Sequence, residues 1–88
     1  MPASSEASVV LPAHLHARPA GQIVRAAARF TSDIQISCGD RTVNARGLLA
    51  VMALGATAGT TVVLRATGED ADEAVSALAA VLAGATTG

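Results

Sequence analysis

The chain has 88 residues, a formal net charge of −1 and a composition that is 51% hydrophobic but only 1% aromatic. A chain of this length folds as a single domain around one small core, so we predict one domain over residues 1–88 and a function located on its surface. The near-zero net charge and the absence of Tyr and Trp disfavour a general nucleic-acid-binding role.

The first half of the chain predicts a strand, a helix and a hairpin. Residues 9–11 form a short β-type run that ends at Pro12. Over residues 17–30, apolar side chains recur every three or four positions, which predicts an amphipathic helix. Alternation over residues 34–38, followed by a Gly-Asp turn and residues 41–44, predicts two adjacent antiparallel strands.

The second half predicts a short helix, a strand and a longer helix. Residues 47–54 are too crowded with apolar side chains for a single buried stripe, so part of this short helix should stay exposed. Residues 60–67 are rich in β-branched side chains and predict a strand. Asp70 and Glu73 match a capping box at the start of a final helix, which Gly84 ends. The order favours an α+β fold with one sheet covered by helices.

Two features bear on membranes and on the cell compartment. Residues 47–64 carry no charge, but their Gly- and Thr-rich middle interrupts the run of about 20 apolar residues that a transmembrane helix needs. The N-terminal residues lack the basic start and apolar run of a secretion signal. A lone cysteine, Cys38, cannot form an intramolecular disulfide. We therefore predict a cytoplasmic protein without membrane insertion.

The segment that leads into the first helix contains the residues best suited to chemistry. If His16 caps that helix, the amides of Ala17 and Arg18 have no intrahelical acceptor, and together with the helix dipole they form an anion site. The guanidinium of Arg18 adds a permanent charge that suits phosphate oxygens. These positive groups disfavour imidazolium, so we expect His16 to be a neutral nucleophile that can carry a phosphoryl group.

The run Leu15-His16-Ala17-Arg18-Pro19-Ala20 resembles the signature of the HPr family, the histidine-containing phosphocarriers of the bacterial phosphoenolpyruvate:sugar phosphotransferase system. Over residues 8–84, further segments fall at the spacings of that family. These segments are Gln22-Ile23-Val24-Arg25, Phe30-Thr31-Ser32, Val43-Asn44-Ala45-Arg46, Leu54-Gly55 and Gly68-Glu69-Asp70. The resemblance implies an open-faced β-sandwich, in which three helices cover one face of a four-stranded antiparallel sheet.

The resemblance also implies a phosphocarrier that holds no cofactor or metal and is not a stand-alone enzyme. His16 would accept a phosphoryl group on Nδ1 from the phosphorylated first enzyme of the system, with help from Arg18, and pass it to IIA-type acceptor proteins for carbohydrate uptake. We expect a monomer that docks these partners through its first and second helices. The implied interface residues are Ala20, Val24, Arg25, Arg46, Leu48, Leu49 and Met52.

Two positions depart from the family pattern. His14 replaces the glycine that the family usually places two residues before the active histidine, which bears on the loop conformation and on the rate of transfer. Gly47 replaces a serine that many relatives carry as the target of a regulatory kinase. Glycine is an adequate helix cap but has no hydroxyl group to phosphorylate.

Two other readings of the sequence remain open. A relative that has lost relay activity would act as a regulatory binding module through the same surface. A small metal-binding protein would use His14 and His16, although the sequence shows no third or fourth ligand.

Overall fold

The computed structural model of the protein describes residues 3–12 and 17–84. In this part of the chain the predicted order of elements is confirmed. The elements are β1 (Ser4–Val10), α1 (Ala17–Ala27), β2 (Asp33–Cys38), β3 (Arg41–Asn44), α2 (Leu48–Ala53), β4 (Thr61–Thr67) and α3 (Ala71–Ala83). None of the helices in these residues combines the length and the apolarity needed to cross a membrane.

The strands form one sheet in the order β1-β4-β2-β3, and every neighbouring pair is antiparallel. One face carries the core, because alternate side chains of β2 and β4 are buried there against the helices. The fully buried side chains of these two strands are Ile34, Ile36, Val62, Leu64 and Ala66. The opposite face has no helix over it among the described residues, so the predicted open-faced sandwich is confirmed.

Two element boundaries differ from the prediction. Strand β1 begins at Ser4 instead of residue 9, because it pairs with β4 continuously from Ser4↔Thr67 to Val10↔Thr61. A partner strand can therefore extend β structure through polar residues that show no hydrophobic run. Helix α1 ends at Ala27 instead of residue 30. Its last turn is closed by backbone hydrogen bonds between residues three apart, including the bond from the Phe30 amide to the Ala27 carbonyl at 3.2 Å.

The capping box predicted at Asp70 is wrong, although Asp70 does precede α3. Its carboxylate makes no cap hydrogen bond. Instead it accepts the amides of Thr31 and Ser32, each at 2.9 Å, and the Ser32 hydroxyl. Ser32 is only 2% exposed, so its polar groups need acceptors inside the protein. The Ser32 hydroxyl bond, followed by the Thr31 amide bond, lowers the pKa of Asp70 from 3.8 to about 2.

Three loops meet at the end of the sheet where β2 begins and β3 and β4 end. We call residues 30–32, Arg46, Gly68 and Asp70 the loop junction. The guanidinium of Arg46 donates to the carbonyls of Phe30 and Ser32, the latter at 3.0 Å. Gly68 has φ +147°, and a Cβ there would lie 2.6 Å from Ser32 Oγ. The junction therefore joins the turns that precede β2, α2 and α3.

Candidate functional site

The start of α1 presents an exposed cationic side chain. Ala17 and Arg18 are exposed in the first turn, whereas Pro19 and Ala20 are buried. Among the described residues, no hydrogen bond or ion pair engages the Arg18 guanidinium, so it is available to an anion. The predicted phosphoryl acceptor His16, its predicted role as a helix cap, and His14 all lie outside the described residues.

A second cation lies along the same helix. Arg25 is exposed, and a Cβ built on Gly21 would lie 3.6 Å from Arg25 Nη1. The Arg25 side chain therefore folds back over Gly21, one turn toward the start of α1, as long side chains in helices commonly do. Its charge adds to that of Arg18 on the N-terminal half of the helix. Val24 is half-buried beside it.

Helix α2 exposes large apolar side chains. Leu48 is 43% exposed, Leu49 79% and Met52 36%, while Val51 and Leu54 are buried in the core. We call Leu48, Leu49 and Met52 the α2 face. The prediction that part of this short helix stays exposed is therefore confirmed. Apolar side chains grouped on a surface in this way mark a site for interaction with another molecule.

Hydrogen bonds at the two ends of α2 show how it lies relative to α1, against which it packs. Arg46, just before α2, bonds to the Phe30 carbonyl, just after α1. The loop after α2 bonds to the residue that leads toward α1, because Gly59 donates to the Leu11 carbonyl at 2.8 Å and Leu11 donates to the Thr60 carbonyl at 2.9 Å. The start of α2 is thus bonded to the turn after α1, and the loop after α2 is bonded to the residue that follows β1.

Two of the predicted interface residues have a different environment. Ala20 is 0% exposed and belongs to the hydrophobic core cluster, so its assignment to the interface is wrong. Helical periodicity places it on the inner stripe of α1, where a methyl group fits closely against neighbouring elements. Arg46 is half-buried and its guanidinium is held in the loop junction. Contact between Arg46 and partner proteins stays a prediction. Within the protein, the hydrogen bonds of its guanidinium give it a structural role.

Sequence reasoning gave no role to Arg41, the first residue of β3. Its Nη1 donates to the carbonyl of Ala53, the last residue of α2, at 2.9 Å. Residue spacing holds no signal for such a bond, since it depends on how the hairpin packs against the helix.

No metal centre emerges from residues 3–12 and 17–84, in which no group of at least three His, Cys, Asp or Glu side chains could hold an ion. The metal hypothesis for His14 and His16 concerns residues outside that part of the chain. This surface combines two cations, Arg18 and Arg25, with the exposed apolar side chains of the α2 face. It is therefore suited to a partner protein that carries an anionic group and an apolar contact surface.

A comparison with known proteins decides the family. The PTS-HPr model, described as "PTS HPr component phosphorylation site", matches residues 3–84. The chain belongs to the HPr family. It is 36% identical over 78 residues to the phosphocarrier protein HPr of Buchnera aphidicola, an alignment that covers 89% of this chain and 92% of that protein.

Solved structures of HPr-family proteins agree with this assignment. The HPr structure from Bacillus anthracis superposes with a TM-score of 0.84 at 38% identity, covering 91% of this chain and 98% of that one. Crh, the Bacillus subtilis catabolite repression protein, gives a TM-score of 0.75 at 43% identity, covering 84% and 85% of the two chains. The predicted family, fold and function are confirmed: this HPr-family chain is a phosphocarrier of the phosphotransferase system, and its partners are enzymes of that system.

Proposed function

We propose that His16 is the phosphoryl acceptor and that Arg18 stabilises the group on it. The observation that carries this proposal is Arg18 itself, exposed in the first turn of α1 without an internal partner among the described residues. It follows His16 by two residues within the segment that the family model covers. An exposed cation at the start of a helix is better placed to bind a phosphoryl group than to have a buried structural role.

The transfer proceeds by nucleophilic substitution at phosphorus. The Nδ1 lone pair of neutral His16 forms the new N–P bond while the bond from phosphorus to its donor atom on the phosphorylated first enzyme breaks, and that electron pair leaves with the donor. The amides of Ala17 and Arg18 and the Arg18 guanidinium stabilise the negative charge on the phosphoryl oxygens. In the second transfer a nucleophilic atom of an IIA-type acceptor forms a new bond to phosphorus while the N–P bond breaks, and that electron pair returns to Nδ1, so the protein is regenerated in each cycle.

Intact mass spectrometry tests this proposal. After incubation with phosphoenolpyruvate and a phosphotransferase first enzyme, the wild type should gain about 80 Da, the mass of one phosphoryl group, and lose it in acid. His16→Ala should gain nothing, whereas His14→Ala is the matched control and should still be phosphorylated. Arg18→Ala should be phosphorylated more slowly, with its thermal unfolding little changed, because the residue is exposed.

Three outcomes would contradict the proposal. Phosphorylation of His16→Ala would place the acceptor elsewhere. An unmodified wild type, with a first enzyme that phosphorylates the HPr of its own organism, would favour the relay-inactive binding module. Stoichiometric uptake of zinc or nickel that is lost in His14→Ala would favour the metal-binding reading.

We further propose that both partners dock on the α2 face together with Val24 and Arg25 of α1. The support is the exposure of Leu48, Leu49 and Met52 beside a helix that carries exposed cations. A few well-packed, desolvated side chains at the centre of an interface contribute most of the binding energy, and charges at its rim set the rate and orientation of encounter. The same surface then serves donor and acceptor in turn.

Leu49→Asp tests the docking surface. We expect the KM of the first enzyme for this variant to rise about tenfold, because a charge would be buried where an apolar side chain was. Ser76→Asp adds the same charge at an exposed position of α3 and is the matched control. An unchanged KM for Leu49→Asp, or an equal rise for Ser76→Asp, would show that the α2 face does not dock the enzyme.

We propose a cytoplasmic monomer as the working form. Strand β1 pairs with β4 of its own chain over seven residues, so the sheet is completed without a strand from a second molecule. The Crh structure, by contrast, is described as a dimer with a swapping domain. Sedimentation equilibrium across a hundredfold range of protein concentration should give the mass of one chain, and a stable dimer mass would contradict the proposal.

A further inference from the structure

Helix α2 is too short to hold its own orientation. It has six residues, and Val51 is the only one of them that is buried. Its cap residue Gly47 supplies no side-chain hydrogen bond. Isolated helices shorter than about 12 residues are marginal in water. The direction in which the α2 face points must therefore be set by contacts with other elements.

Polar contacts with the loop junction fix the start of α2. The Arg46 guanidinium is bound by two carbonyls there. The Arg46 amide donates to Asn44 Oδ1 at 2.8 Å, and the Gly47 amide donates to the Asn44 carbonyl at 3.1 Å. The Arg46 guanidinium also joins the turn before α2 to the turn before β2, so changing it would disturb more than the orientation of α2.

The end of α2 is held differently. The carbonyls of Val51 and Met52 accept the amides of Leu54 and Gly55, both at 3.3 Å. The carbonyl of Ala53 accepts Arg41 Nη1 at 2.9 Å. A cation at this end also interacts favourably with the negative end of the helix dipole. Arg41 is exposed, so its loss would loosen the end of α2 without opening a cavity.

We propose that Arg41 is a positioning residue for phosphotransfer, which holds the end of α2 so that Leu49 and Met52 form one ordered surface for the partner enzymes. The inference rests on the proposed docking role of the α2 face. An ordered surface binds more tightly than a mobile one, because less conformational entropy is lost when the partner docks. Arg41 therefore lowers KM without contacting the reacting atoms.

A double-mutant cycle tests the proposal. The variants are Arg41→Met, which keeps most of the apolar stem but has no donor, Arg41→Lys, Leu49→Ala, and the combination of Arg41→Met with Leu49→Ala. We expect Arg41→Met to raise the KM of the first enzyme about fourfold with kcat unchanged, and Arg41→Lys to restore most of the affinity. In the Leu49→Ala background, Arg41→Met should change KM less than about twofold, because both act through one surface.

Amide hydrogen exchange in the free protein provides a readout that does not involve a partner. In Arg41→Met, exchange at Leu54 and Gly55 should quicken about fivefold, while Leu64 in β4 exchanges as in the wild type. Unchanged exchange at Leu54 and Gly55, or a KM effect that is fully additive with that of Leu49→Ala, would overturn the proposal. The second result would mean that Arg41 contacts the partner directly.

The experiment separates this inference from the docking proposal on which it rests. If Leu49→Ala leaves KM unchanged, the docking function of the α2 face fails. If Leu49→Ala raises KM and Arg41→Met does not, docking by the α2 face stands and only the positioning role of Arg41 is overturned.

Discussion

Helices α2 and α3 contribute to the protein in opposite ways. Helix α3 has thirteen residues, of which five are buried, and it packs against β1, β4 and α1. Helix α2 has six residues, buries one of them, and leaves three large apolar side chains exposed. Apolar burial is the main stabilising contribution to folding, so α3 stabilises the domain. Helix α2 keeps its apolar surface available for a partner. This difference between the two helices predicts that substitutions near α3 change the stability of the fold and that substitutions on α2 change the binding of partner proteins.

The largest effect is expected at Gly68, in the turn that leads into α3. A Cβ there would lie 2.6 Å from Ser32 Oγ and 2.8 Å from Ser32 Cα, at a φ of +147°. Gly68→Ala combines backbone strain with a steric clash and should destabilise the fold by about 4 kcal/mol. Gly39→Ala is the matched control, because its φ is +63° but the space around it is open, and it should cost about 1 kcal/mol. Urea denaturation followed by far-ultraviolet circular dichroism measures both, and equal losses would contradict the role of the loop junction.

The next effect is expected in α3 itself. Leu78 is fully buried. Leu78→Ala should lower the free energy of unfolding by about 3 kcal/mol, because it removes apolar contacts and leaves a cavity. Ser76→Ala changes an exposed position of the same helix and should stay within about 0.5 kcal/mol of the wild type. A loss below about 1 kcal/mol for Leu78→Ala would show that α3 is less central to the core than its burial indicates.

The sequence predicted those features that depend on local pattern. The Gly39-Asp40 turn set the register of the β2–β3 hairpin, and the apolar stripe of α3 was found from its helical spacing. The exposure of the α2 face followed from too many apolar residues in too short a helix. These signals lie within a few residues of one another, so they can be read without the fold.

Features that depend on distant contacts could not be predicted. Asp70 and Glu73 have the residue types of a capping box, yet Asp70 binds Ser32, which is 38 residues away. Similarly, the resemblance to the HPr family implied a docking role for Arg46, but its carbonyl acceptors at positions 30 and 32 were not visible in the sequence. A carboxylate or guanidinium has several acceptable partners, and only packing decides among them.

A smaller effect, with a characteristic pH dependence, is expected at Asp70. Its folded pKa of about 2 lies below the ordinary 3.8 because the Ser32 hydroxyl and the Thr31 amide favour the charged form. A lowered folded pKa stabilises the protein above the unfolded value, so this stabilisation is present above about pH 4 and is lost as the pH falls toward 2. Urea denaturation should show Asp70→Ala less stable than the wild type at pH 6, with the difference shrinking between pH 4 and 2. The exposed neighbour Glu69 provides the control Glu69→Ala, and a difference independent of pH would contradict the assignment.

The smallest effect on stability is expected on the α2 face. Leu49 is 79% exposed, so Leu49→Ala removes little buried surface and should leave the free energy of unfolding within about 0.5 kcal/mol of the wild type. The same leucine-to-alanine change at Leu78 should cost about 3 kcal/mol, because that side chain is fully buried. Urea denaturation of the two variants in parallel therefore measures the division between the helices directly. A loss of more than about 1 kcal/mol for Leu49→Ala would mean that Leu49 packs against the domain, and a change in partner binding could then no longer be assigned to docking alone.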